Sequence, residues 1–417
     1  MPAPAILPRN VEAEVLVALE DARVVAITGP RQSGKTTLAR AVAARRGGRY
    51  LTMDDPRIAA ALRDDPFGML VGPYPVVVDE FHLAGDPLLR AIKRLVDEDA
   101  ARGRFLLTGS AHFLTVPTLS ESLAGRIRLL EVWPLSQGEL RRRRDRFADR
   151  TFGSTEALRR LRPEPVTRGE VMRAVCTGGF PEAVAGSARA RRGWFADHVR
   201  TVTQGDIRAL SSLHRAEDLP RLLALLAART AQEINYNEIG RELSMPRSSL
   251  IDYVALLEVV GLWYRAPAWA RNLTSRVIKH PKGFIADTGL AASLLGIDPE
   301  ALLDPTTPAV GPLLKTFVAG ELARQRAWSE IPYALRHFRD RQGPEVDLVL
   351  EGGDGRVAAI EVKASSTFGK ADFRGLDLLA DRVGSRFTNG VLLYLGDEVL
   401  PMGPKRTAMP ISALWAP

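Results

Sequence analysis

Between an apolar run at 24–28, VVAIT, and a helical stretch at 35–45 lies GPRQSGKT, residues 29–36, a full match to G-x-x-x-x-G-K-[ST]. No other feature constrains the fold so strongly. The glycines let the backbone curl so that its N–H groups face phosphate oxygens at a helix N-terminus. Gly29, Pro30, Arg31, Gln32, Ser33, Gly34, Lys35, Thr36 and Thr37 are therefore the expected phosphate cradle. Lys35 would reach the outer phosphates and Thr36 would ligate magnesium, which makes ATP and Mg2+ the expected ligands.

The rest of the first 135 residues repeats the same alternation. Apolar runs RYLTMDD (49–55), VVVDE (76–80), RFLLTGS (104–110) and RIRLLEV (126–132) are separated by helical patterns such as 87–101. Continuous apolar strands between helices indicate a parallel sheet covered on both faces, an α/β layer. VVVDE places Asp79 at the carboxyl edge of that sheet, where it can hold magnesium, and Glu80 beside it can orient or deprotonate an attacking water.

Length sets a prior of two to four domains for 417 residues. With 46% hydrophobic and 25% charged residues, disorder as the main state is excluded. One cysteine, Cys176, rules out an intrachain disulfide, no apolar stretch reaches membrane-spanning length, and the start lacks a signal pattern, so a cytoplasmic location is expected. The net charge of +8 permits an anionic partner without proving one. Only 8 of the 57 basic residues are lysines, so Lys35 and Lys363 stand out wherever an ammonium is needed.

Beyond residue 140 the composition changes. RRRRDR (141–146) and the proline-dotted segment to 167 read as an exposed connection or lid, with helices resuming at 168. Residues 233–267 have the spacing of a winged helix: a helix at 235–243, the turn SMP, a second helix opened by Arg247, Ser248 and Ser249, then a strand pair from Gly261. Leu250, Val254 and Leu257 share one face of the second helix, and Arg265, Arg271, Arg276, Lys279 and Lys282 would form a basic wing, which makes DNA the expected partner. LLDPTTPAVGP (302–312) reads as a linker.

EVDLVLEGGDGRVAAIEVKAS (345–365) carries a second chemical signal. GGDG turns a hairpin that puts Asp347 opposite Ile360 or Glu361, and Glu361 and Lys363 share one strand face. The preceding helix can bring Glu321 alongside. Two or three carboxylates and one ammonium suit metal-dependent phosphodiester cleavage.

These motifs carry resemblances. LLTGS and SLAGR are similar to elements of the AAA-plus ATPases, which implies that Thr108 or Ser110 senses the γ-phosphate and that Arg126 is an arginine finger for a neighbouring copy, hence a homo-oligomer. GGFPEA (178–183) looks like the lid element of related NTPases. Glu321, Asp347, Glu361 and Lys363 fill the places of the PD-(D/E)XK nuclease superfamily. Taken in order, the P-loop, VVVDE, LLTGS, SLAGR, PLSQGEL (134–140), GGFPEA, the winged helix and EVD…IEVKAS resemble the bacterial and archaeal AAA-plus ATPases with a C-terminal domain of unknown function 4143. The resemblance implies an α/β chain with a P-loop AAA-plus core at 1–140, a helical lid at 141–215, a winged helix at 216–300 and a restriction-endonuclease-like α/β domain at 308–417. ATP hydrolysis coupled to DNA binding or processing is the implied activity; a nucleotide switch whose C-terminal domain only binds a partner is the rival.

Overall fold

The computed structural model describes residues 6–109, 123–207, 216–271, 280–340 and 343–416. The chain divides into two compact units, residues 1–134 with 259–261, and residues 135–258 with 262–417. Among the described residues no helix is long and apolar enough to cross a membrane.

The first unit is built on five parallel strands: β1 (Val24–Thr28), β2 (Arg49–Thr52), β3 (Val76–Asp79), β4 (Phe105–Thr108) and β5 (Ile127–Glu131), in the order β2-β3-β4-β1-β5. Every position of β1, β3 and β4 is buried, which is why these strands read as unbroken apolar runs. β5 lies at an edge and exposes Arg128, Leu129 and Glu131. Helix Lys35–Arg46 buries Leu38, Ala39, Val42 and Ala43, and helix Asp86–Glu98 buries Leu88, Leu89, Ile92 and Val96. Both place their apolar residues three and four apart, the spacing that gives one buried stripe. All the strands expected in this region form.

The second unit holds two sheets. Strands β6 (Gln232–Glu233), β7 (Trp263–Ala266) and β8 (Lys282–Ile285) make an antiparallel sheet in the order β6-β8-β7. Helix Tyr236–Glu242, a turn through Ser244 and Pro246, and helix Arg247–Val259 precede β7, with Leu250, Val254 and Leu257 buried as the spacing requires. The larger sheet comprises β9 (Tyr333–Arg339), β10 (Glu345–Gly352), β11 (Val357–Val362), β12 (Phe387–Tyr394), β13 (Leu400–Gly403) and β14 (Arg406–Pro410), in the order β13-β14-β12-β11-β10-β9. The apolar run NGVLLYLGD (389–397) reads as the last strand of the chain and falls on β12. The two strands beyond it escape that pattern because they are short and proline-containing, and Pro401 is tolerated since β13 is an edge.

Two other expectations are corrected. Residues 141–167 are not an exposed connection: Asp145, Phe147, Ala148, Phe152 and Leu158 are buried, and helices Phe147–Phe152 and Thr155–Arg159 form there. The arginine run is absorbed by Arg141 and Arg143 on Glu164 and by Arg146 on Glu330. Residues 302–312 do not separate independent bodies either. Leu302 is buried, and helix Val310–Gln325 is enclosed on nearly every side. Residues 135–258 and 262–417 thus share one unit, tied by bonds such as Gln137 to Glu321, Thr155 to Asn389 and Lys282 to Asp347.

Glycines mark the closest approaches. A Cβ on Gly179 of GGFPEA would lie 2.1 Å from the Leu135 carbonyl oxygen, and one on Gly178 would lie 2.0 Å from Asp287 Oδ1. On helix Arg374–Val383, a Cβ on Gly375 would lie 1.9 Å from the Glu345 carbonyl oxygen of β10. Helix and strand must separate to admit a methyl group there. Gly375→Ala is expected to lower stability by about 1–3 kcal/mol, read as a drop in the urea midpoint of the transition that unfolds this sheet.

Candidate functional site

The loop between β1 and helix Lys35–Arg46 takes the shape its residues allow. Gly29 has φ +149°, and a Cβ there would meet the Val132 carbonyl oxygen at 2.1 Å. Gly34, at φ +96°, starts the helix from the left-handed side. Lys35 is only 6% exposed and folds back over the loop, its ammonium donating to the carbonyl oxygens of Gly29 at 3.1 Å and Pro30 at 2.8 Å. Arg9, which sequence reading passes over, braces the loop by donating to the Ser33 carbonyl at 2.8 Å and the Trp133 carbonyl at 2.6 Å. Nothing local marks Arg9, since its partners lie 24 and 124 residues away.

Across the sheet edge, Asp79 is 1% exposed and its carboxylate accepts from three hydroxyls. Thr36 Oγ1 donates to Oδ2 at 3.0 Å and lies 3.3 Å from Oδ1. Tyr50 Oη donates to Oδ2 at 2.5 Å, and Thr108 Oγ1 bonds Oδ1. Burial first, then the bond to Asp79, pushes the Tyr50 hydroxyl up to about 12, so it serves as a donor. Glu80 follows in a left-handed turn, φ +53°, with its carboxylate 3.4 Å from His82 Nδ1. Burial raises its pKa while the nearby Lys35 ammonium opposes that rise. The Thr36 hydroxyl and the Asp79 carboxylate are hard oxygen donors side by side, the set that fits magnesium.

The other residues expected here are less uniform. Ser110 lies outside the described residues. Arg126 grips Asp97 of its own chain with both Nε at 2.6 Å and Nη2 at 3.2 Å, so it faces an acid in cis.

In the second unit, the hairpin forms in the expected register: Leu348 faces Ile360, and the Asp347 amide donates to Glu361 Oε2 at 3.3 Å. The expected third and fourth members are elsewhere. Glu321 accepts from the Gln137 amide at 2.9 Å and sits 3.7 Å from Arg324, beside Glu139 and Asp145. Burial raises Glu321 to about 7 and Asp145 to about 8. Lys363 falls just past the end of β11 and bonds Asp372 instead.

The ammonium groups at Asp347 come from two unexpected residues. Lys315 Nζ lies 2.6 Å and Lys282 Nζ 3.2 Å from the same oxygen, Oδ1, while the Val362 amide donates to Oδ2 at 3.1 Å. Lys315 and Glu321 stand six residues apart on one helix, about one and two-thirds turns, so the face that brings Lys315 to the hairpin carries Glu321 away. Lys282, expected in a basic wing, is 4% exposed because β8 carries it inward. Arg265 of the same wing is paired with Glu258 at 2.5 Å, Arg271 is exposed, and Arg276 and Lys279 lie outside the described residues. Burial opposes ionisation of Asp347, but the two ammonium groups outweigh it and hold the pKa below the usual range. Glu361 goes the other way, raised well above its ordinary value by burial and then by the Asp347 charge. Among the described residues, no three His, Cys, Asp or Glu side chains gather where they could hold a metal ion.

Residues 21–141 match a family model described as an AAA domain, residues 168–301 a domain of unknown function (DUF8612), and residues 310–414 a domain of unknown function (DUF4143). Two relatives match along nearly the whole chain, the uncharacterized proteins Rv2008c of Mycobacterium tuberculosis and Mb2031c of Mycobacterium bovis. Each is 30% identical over 403 residues, covering 96% of this chain and 83% of the relative. The chain belongs to their family, the AAA ATPases with a C-terminal DUF4143 domain. Among solved structures, the Walker-type ATPase PABY2304 of Pyrococcus abyssi aligns over 70% of this chain and 96% of its own at 18% identity, TM-score 0.43. The RuvB Holliday junction branch migration motor of Thermotoga maritima aligns over 63% and 90% at 19% identity, TM-score 0.32.

The hairpin charges set a pH dependence. Glu361 holds its proton more tightly in the folded than in the unfolded chain. Its contribution to stability is therefore complete below the ordinary carboxyl pKa of about 4.3 and is lost as pH rises toward the folded value. Glutamine keeps the uncharged form at every pH. The melting temperature of Glu361→Gln relative to wild type should climb between pH 5 and pH 8; a constant difference would mean that Glu361 titrates normally.

Proposed function

We propose that this chain binds ATP with magnesium and hydrolyses it, and that its remaining domains couple the nucleotide state to DNA. The observation that carries the ATPase reading is the buried Asp79 carboxylate, joined by hydroxyls from the phosphate-loop helix at Thr36 and from β4 at Thr108. Residues 29–37 cradle the phosphates. Lys35 leaves its loop carbonyls for the β- and γ-phosphate oxygens, a small movement for a four-carbon stem. Thr36 and Asp79 would hold magnesium, which would offset phosphate charge when bound. Glu80, whose raised pKa suits a base, takes the proton of the attacking water, and Thr108 or Ser110 senses the outer phosphate. Arg126 can serve a neighbouring copy only by leaving Asp97.

The chain then comprises an ATPase core at 1–140, a lid at 141–215, a winged helix at 216–300 and an endonuclease-like domain at 308–417, in a cytoplasmic protein. Helices Tyr236–Glu242 and Arg247–Val259 with β6, β7 and β8 support the winged-helix reading. Beside the turn lies an open depression edged by Arg241, Ser244 and Arg247, and the two guanidinium groups suit phosphate more than base edges. DNA contact is then backbone contact, without sequence reading.

One observation favours a second reading for the C-terminal domain, that it binds a partner without cutting nucleic acid. Asp347 is engaged by Lys282 and Lys315, the position a nuclease would keep for its cation, while Lys363 and Glu321 face other groups. We adopt this reading for that domain.

Lys35→Ala should raise the ATP dissociation constant at least about tenfold, measured with a fluorescent nucleotide. Glu80→Gln should bind ATP as wild type does while turnover falls about 10²- to 10⁴-fold; unchanged hydrolysis would remove Glu80 from the role. Double-stranded DNA should raise wild-type turnover, and turnover indifferent to DNA would detach the ATPase from nucleic acid. Supercoiled DNA should stay intact with magnesium or manganese. Nicking that Glu361→Ala abolishes would restore the nuclease.

A further inference from the structure

The motifs account for two of the three hydroxyls on Asp79, those of Thr36 and Thr108; the third, from Tyr50, belongs to no motif. It comes from β2, the edge strand that pairs with β3 in the register Tyr50 to Val77 and Thr52 to Asp79. Its oxygen is the closer of the two on Oδ2, 2.5 Å against 3.0 Å for Thr36. The Arg40 guanidinium lies over the ring, 4.8 Å from its centroid, and also bonds the hydroxyl. Arg40 belongs to the same helix that opens with Lys35 and Thr36. The ring is thus clamped between the phosphate-loop helix and the acid at the sheet edge.

We infer that Tyr50 is a positioning residue for the metal–nucleotide site, acting through Asp79. The inference rests on the ATPase reading above. For Thr36 to ligate a cation its oxygen must present lone pairs, so its proton has to go elsewhere, and Asp79 is where it points. A carboxylate free to turn about its last bond would release that proton's acceptor. Tyr50 on Oδ2 and Thr108 on Oδ1 fix the plane of the carboxylate from two strands, leaving Thr36 a defined acceptor. With Asp79 1% exposed, bulk water does not stand ready to replace a lost donor. Phenylalanine keeps the ring under Arg40 but loses the hydroxyl's bonds to both Asp79 and Arg40, so a loss confined to magnesium-dependent binding is what separates positioning of Asp79 from packing.

The test measures affinity for a fluorescent ATP analogue, in EDTA and in magnesium, for the full-length wild type and Tyr50→Phe. The quantity read is the gain in affinity that magnesium confers. Tyr50→Phe should bind as wild type does in EDTA while its magnesium gain falls roughly five- to tenfold. An undiminished gain would leave Tyr50 as packing and overturn the inference. Equal losses with and without magnesium would make the hydroxyl a bond that holds the fold, and would also overturn it. If wild type itself gains nothing from magnesium, the assignment of Thr36 and Asp79 fails first, and the Tyr50 role falls with it.

Discussion

A carboxylate with 1% of its surface exposed must find its donors within the protein, and at Asp79 all three come from hydroxyls on neighbouring elements of the parallel sheet. That requirement organises the first unit. The strand order β2-β3-β4-β1-β5 puts β3 between the strands that supply Tyr50 and Thr108, and β1 leads into the helix that supplies Thr36. Because the strands are parallel, their carboxyl ends share one edge, so a one-strand change in order would separate these groups by about 5 Å. The phosphate loop and the acid are therefore one structural fact seen from two strands.

The second unit meets the same difficulty with ions. Asp347, Asp287 and Glu321 are all buried, against Lys282, Lys315 and Arg324. Removing one partner from such a pair typically costs about 3–5 kcal/mol, because the other charge is left without compensation. This explains why segments that read as separate domains share a unit. Arg324 reaches both Glu321 of its own helix and Asp287, which also caps the helix Thr288–Leu295 and accepts the Gly179 amide at 2.7 Å. Bonds of that kind are specific in geometry and cannot be exchanged for a looser packing without stranding a charge.

What the sequence makes legible is local. Strand and helix periods, the glycine-lysine loop and the acid at the end of β3 are patterns within a dozen residues, and each appears where it is expected. The hairpin register at Asp347 is also local, being set by its turn. Roles set by distant partners are not legible. Tyr50 and Arg9 acquire theirs from strand order, and Lys282 looks like a wing residue until β8 is placed against the hairpin. The arginines at 141–146 look solvated because nothing near them in sequence announces Glu164 or Glu330. Glu321 and Lys363 satisfy a motif in one dimension, yet helix phase and strand end send them to other partners.

Lysine scarcity becomes informative once the contacts are known. The chain has 8 lysines, and three of them, Lys35, Lys282 and Lys315, lie at the two charged sites. An arginine would not serve in either place. Lys35 must turn from two carbonyl oxygens to a phosphate, which a compact ammonium on a flexible stem does more readily than a planar fork. At Asp347, Nζ atoms 2.6 Å and 3.2 Å away converge on one oxygen, while the other accepts the Val362 amide. Two guanidinium planes, each seeking a bidentate match, would compete for both oxygens and displace that amide. The geometry thus calls for point charges at both sites, and at Asp347 two protein ammonium groups supply them.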